Sequence, residues 1–138
     1  MPGKKLLQKN MKILDANAIL RYILNDNSNM SETVIEAVQE GAFTSTEILA
    51  EVVYVLQRVY KTSREDISWY IHCILLDINV ADAKVIRYAL GVYNMTTLDF
   101  VDCLLVAYHK NYSADILTFD KKLNTALNKE FLFPKSFS

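Results

Sequence analysis

Glycine and proline are scarce in this chain, with three and two among 138 residues. An all-β sandwich or barrel needs many more turn-forming residues, so the shortage favours helices. Cysteine is equally sparse: Cys73 and Cys103 lie inside apolar helical pattern, at a separation that fits no zinc motif. They read as buried, reduced thiols. The chain also lacks an excess of positive charge. A net charge of −1 leaves no electrostatic footprint for a passive nucleic-acid binder. An enzyme whose site is a group of carboxylates is not excluded, because bound cations would offset them. Arg21, Arg58, Arg64 and Arg87, with eleven lysines, remain available for a local basic rim. No apolar run approaches the roughly 20 residues of a membrane span. Nor is a signal peptide visible, since only Leu6 and Leu7 follow Lys4 and Lys5 before polar residues resume. The chain reads as cytoplasmic, with no membrane partner.

What is present is an ordinary folded composition: 51% apolar against 22% charged residues argues against disorder. The length suits one domain with one core. Residues 1–10 have no periodicity and Met11 stands directly before the first apolar run, so 1–10 read as an extension and 11–138 as a single domain. Residues 13–14 read as a strand, followed by a helix to about 24. The cluster Asn25-Asp26-Asn27-Ser28-Asn29 is a polar turn. Ser31 and Glu32 open a helix that stops at Gly41. Residues 42–45 read as a second strand, with Thr46 capping a helix to about 61. Ser63 and Asp66 have capping-box spacing for the next helix. A short strand at 78–80, helices at 82–93 and 98–111, a last strand at 115–118 and a closing helix at 121–127 complete the chain. Strands alternating with helices predict an α/β fold with a short, mainly parallel central sheet flanked by helices in three layers.

In such folds, sites form beyond the C-terminal ends of the strands. Asp15 and Asp120 occupy that place after the first and last strands; helix capping is the plainer role for an Asp there. On the helix from Thr46, Ile48, Leu49, Val52, Val53, Val55, Leu56 and Val59 fill one broad face at 100° per residue. Glu47 falls outside that face and reads as surface. Glu51 falls at its edge and reads as half-buried. Around Asp102 the helix is apolar on nearly every side, which predicts burial. An unpaired carboxylate in a core costs several kcal/mol, so Asp102 needs a cation or hydrogen-bonding partner. A structural ion pair is the plain alternative, and Asp99 is readily explained as a helix cap. His109 reads as surface or packing, and Tyr54, Tyr60, Tyr88, Tyr93 and Tyr108 as half-buried helix residues. Asp15, Glu51, Asp102 and Asp120 together lack a comfortable structural role. Carboxylates gather only around a cation. Oxygen ligands without His or Cys point to Mg²⁺ or Mn²⁺, and such sites suit phosphodiester hydrolysis.

Four stretches carry a resemblance: KILDANAILRYIL at 12–24, STEILAEVVYVL at 45–56, LDFVDCLLVAY at 98–108 and ILTFDKKL at 116–123. In this order they resemble the PIN-domain family, and especially its VapC-type toxins. The resemblance implies a PIN-like fold and a metal-dependent endoribonuclease. It assigns the metal-binding and catalytic acids to Asp15, Glu51, Asp102 and Asp120. Asn17 would orient the first acid, Thr118 would stand beside the last, and Asp99 would be an additional acid. Thr44 and Ser45 are candidates for supporting hydrogen bonds, although backbone capping explains them equally well. The resemblance also implies an RNA substrate, an antitoxin partner and a homodimer. Two rival readings differ in class. A PIN-like module without catalysis, binding RNA or protein, would usually have lost an acid, and none is lost here. A haloacid-dehalogenase-like phosphatase would need a second Asp where Asn17 stands.

Overall fold

A computed structural model of the chain describes residues 11–24 and 29–133. The 1–10 extension and residues 25–28 of the expected polar turn lie outside that range. Local bonds set the element boundaries. Asp15 starts helix α1 (Ala16–Leu24): its carbonyl accepts from Ile19 N at 3.1 Å and its Oδ1 from Ala18 N at 2.8 Å. Helix α2 (Asn29–Gln39) begins two residues before the expected Ser31 and ends, as expected, towards Gly41. Gly41 takes φ +87°, a left-handed conformation that glycine adopts without steric cost. Strand β1 (Phe43–Thr44) leads into helix α3 (Thr46–Arg58). The cap of α3 is Ser45, whose Oγ accepts from Ile48 N, and Thr46 is its first residue. The helix stops short of residue 61, where Lys61 turns left-handed.

Ser63 caps helix α4 (Arg64–Asp77), accepting from Asp66 N at the anticipated spacing. Strand β2 (Asn79–Val80), helix α5 (Ala83–Met95), helix α6 (Phe100–Tyr112) and helix α7 (Lys121–Leu127) follow. β1 and β2 are parallel, with Phe43 opposite Asn79 and Thr44 opposite Val80. The first expected strand is reduced to a parallel bridge between Ile13 and Phe43, held by two 2.8 Å bonds. The molecule is therefore mostly helical, around a short parallel sheet.

The expected strand at 115–118 is not one; residues 113–120 form no regular structure. Polar side chains take backbone groups that a ladder would have used. His109 Nδ1 pairs with Ala114 O, Asn124 Nδ2 donates to Thr118 O, and Asp120 N donates to Thr118 Oγ1. Leu117 and Phe119 are left exposed.

α3 and α6 hold the middle of the molecule: α3 packs on α1, α4 and α6, and α6 packs on α3, α5 and α7. Leu49, Val52 and Leu56 of α3 and Cys103, Val106 and Ala107 of α6 lose all solvent contact. Burying each aliphatic side chain of this size contributes about 1.5–3 kcal/mol. Arg64, half-buried at the start of α4, ties the end of α5 to the α5–α6 loop. Its Nε donates to Tyr93 O at 3.0 Å, its Nη2 to Leu98 O at 2.6 Å, and its guanidinium lies 3.6 Å from the centre of the Tyr93 ring. That clamp sets the backbone immediately before Asp99.

Candidate active site

Asp15 is exposed where the first extended segment gives way to α1. The buried Thr44 fixes this corner, donating from Oγ1 to Leu14 O at 3.0 Å. Asp15 thus serves as the α1 cap, and Asp120 serves α7 in the same way, accepting from Leu123 N at 2.8 Å. Capping does not use up these groups, because a carboxylate has about four acceptor positions. Asp99 reverses the expectation: it stands at the cap position of α6 yet makes no side-chain cap bond.

Asp102 is half-buried rather than sunk in the core, and Val101 beside it is exposed. The first turn of α6 surfaces at a cleft, an opening that apolar residues on the rest of the helix do not reveal. The Asp102 carboxyl is raised above the ordinary carboxylate range, first by burial and then by the charges of Asp99 and Asp120. These three acids, from two sides of the α6–α7 connection, lie within electrostatic reach of one another. Asp15 and Glu51 are not among the charges that raise Asp102. Glu51 is exposed rather than half-buried, since the neighbouring positions at its edge of α3 also open to solvent. Asn17 is exposed, Thr118 is half-buried under Asp120, and Ser45 is spent on its cap.

The cleft beside Asp102 has a volume of about 200 Å³. Asp99, Val101 and Asp102 form one wall, and Tyr54, Gln57 and Arg58 of α3 form the other. Sequence reasoning offered Arg58 only for a local basic rim and counted Tyr54 as half-buried, although 59% of it is exposed. A signal was present: Glu51, Tyr54 and Arg58 recur at three- and four-residue steps and so share one helix stripe. Glu47 is exposed as expected, but its charge contributes to raising the Tyr108 hydroxyl on α6, after burial, Asp82 and Tyr112. Cys103, one residue from Asp102, is pushed up to about 12, chiefly by burial, and is inert as a nucleophile. Larger clefts of about 680 and 460 Å³ flank Trp69 and contain none of Asp15, Glu51, Asp99, Asp102 or Asp120.

The donor chemistry fits a hard divalent cation: the acids offer only oxygen, and their mutual repulsion is what a cation relieves. Among the described residues, however, no three of His, Cys, Asp and Glu come together in an arrangement that could hold a metal ion. Mg²⁺ commonly keeps several waters and takes only one or two carboxylates, so a pair such as Asp99 and Asp102 suits it better than a closed cage.

The PIN domain family model matches residues 12–126, and the chain belongs to that family. Within it, the chain is similar to a VapC ribonuclease of Aquifex aeolicus (strain VF5). The two are 32% identical over 102 residues, spanning 68% of this chain and 75% of that protein. No solved structure matches the chain.

Proposed function

We propose that this protein is a divalent-metal-dependent endoribonuclease and the toxin of a type II toxin–antitoxin pair. The observation that carries the reading is the half-buried Asp102 at the mouth of a cleft, its carboxyl raised first by burial and then by the charges of Asp99 and Asp120. Family membership and the similarity to a VapC ribonuclease support it. The roles fall on Asp15, Glu51, Asp102 and Asp120, with Asp99 as a further acid. Mg²⁺ or Mn²⁺, when bound, would acidify a water and steady charge on the phosphoryl oxygens. Asp102, with Asp99 beside it, would hold that cation at the cleft mouth. Asp120, locked by its bond to Leu123 N, would present its remaining acceptor positions from the other side. Thr118, bonded to Asp120 N, keeps that turn in place. Asn17, close behind Asp15 in sequence, would orient the Asp15 carboxylate.

RNA would be the substrate, and an antitoxin and a second copy of this chain the partners. Among the described residues no helix is long and apolar enough to cross a membrane. The lack of a three-ligand metal arrangement among the described residues favours one second reading, a PIN-like RNA-binding or protein-interaction module without catalysis.

Cleavage of labelled RNA with Mn²⁺ or Mg²⁺ separates the two, with EDTA, Asp102→Asn and Asp15→Asn as controls. Cleavage that disappears in all three is the expected result. RNA that is bound but left intact by the wild-type protein leaves a narrow-specificity enzyme or the non-catalytic module, which metal titration against Asp15→Asn separates.

A further inference from the structure

The wall of the cleft opposite the acids has a composition that metal binding does not explain. Tyr54 and Arg58 sit one turn apart on α3, the Arg58 guanidinium 5.4 Å from the centre of the Tyr54 ring. Both are exposed, and both line the cleft that contains Asp99 and Asp102. Tyr54 is 59% exposed, although Val53 beside it is fully buried, so the helix is anchored while the ring faces out. A rigid helix presenting an aromatic face and a planar cation is the arrangement on which unstacked bases rest and phosphates pair. It also places positive charge beside an acidic site in a chain that is nearly neutral overall. Arg64 cannot serve in this way, because the fold consumes it in two carbonyl bonds and the Tyr93 ring.

The geometry points to Tyr54 and Arg58 as a nucleotide subsite for single-stranded RNA, in which Tyr54 stacks on one base and Arg58 pairs with the adjoining phosphate. This inference rests on the ribonuclease reading and deepens it, since it names the residues of α3, outside the acids, that would hold the substrate against α6. A duplex would keep its bases stacked on each other and offer none to Tyr54. With a volume of about 200 Å³, the cleft is on the scale of a single nucleotide.

The test uses the full chain and a single-stranded RNA carrying 2-aminopurine, titrated in Ca²⁺ with the RNA checked for integrity. Cleavage by the wild-type protein in Mn²⁺ is run in parallel. Tyr54→Ala is expected to abolish the quenching of 2-aminopurine and weaken binding about five- to a hundredfold, as for other base–aromatic stacks. Tyr54→Phe should keep both. Arg58→Ala should flatten the slope of log affinity against log salt by about 0.7, the value of one single-strand phosphate contact, and Arg58→Lys should restore it. Circular dichroism of each variant checks folding. If the wild-type protein cleaves and all four variants match it in affinity, quenching and slope, the subsite is overturned and the nuclease reading survives. If the wild-type protein neither binds nor cleaves RNA, both fall. A variant that keeps its RNA affinity but changes sedimentation makes this wall a protein interface and overturns the subsite.

Discussion

Replacing Asp102 by Asn should make the protein more stable while removing the function proposed for it. The carboxylate is half-buried and faces two like charges, Asp99 one helical turn back and Asp120 across the α6–α7 connection. Repulsion from two neighbours together with partial desolvation costs about 1–1.5 kcal/mol at this exposure. Against this, an acid in the first turn of α6 gains about 0.5 kcal/mol from the helix dipole, which Asn forfeits. The difference predicts a gain of about 0.5–1 kcal/mol, or about 2–4 °C in Tm for a domain of this size. The direction with pH follows from linkage. A carboxyl whose folded pKa is raised favours the folded state below its unfolded value and loses that advantage as pH rises through the folded value. The advantage of Asp102→Asn should therefore be full at neutral pH and shrink as pH falls towards about 4. Thermal unfolding in EDTA from pH 4 to pH 8 measures it. Adding Mn²⁺ should then raise the wild-type Tm and close the gap, because a ligand that binds only the folded state stabilises it. A variant less stable than the wild type in EDTA at neutral pH would refute the reasoning, since it would mean that a partner already stabilises the Asp102 charge.

Three further outcomes rest on single contacts. Arg64→Ala removes two charge-assisted bonds and a cation–π contact and should cost about 2–4 kcal/mol, read by urea unfolding. Tyr22 donates to Asp77 Oδ2 at 2.7 Å, and its hydroxyl is pushed up to about 12, first by burial and then by that bond and charge. Its contribution is whole below about pH 10 and is lost as pH rises towards about 12, so Tyr22→Phe should flatten the alkaline fall in Tm. Asp15→Asn preserves the α1 cap and should leave stability within about 0.5 kcal/mol, whereas Asp15→Ala should cost about 1 kcal/mol. Equal stability losses in the two variants would show that the charge of Asp15, not its cap bond, supports the fold.

The helices were legible because their apolar residues recur at 3.6-residue spacing and local chemistry marks their ends. Ser63 and Gly41 do what their positions announce. The short parallel sheet was legible in kind but not in extent. Residues 115–118 have strand composition, yet His109 and Asn124 claim backbone carbonyls in or beside the segment, and no local pattern reveals a competitor that arrives from another helix.

The sequence by itself singled out the candidate acids, Asp15, Glu51, Asp102 and Asp120, because together they lack a comfortable structural role and fall within the four motifs. It also determined the family, since four ordered motifs survive any uncertainty about packing. Only the tertiary structure decided that Asp102 lies at a cleft mouth with Asp99 and Asp120, that Glu51 faces solvent, and that Tyr54 and Arg58 form the opposite wall. Periodicity tells which face of a helix is apolar. Where two such helices part at their rim, and which polar side chains then look across the gap, depends on how α3 and α6 pack against each other.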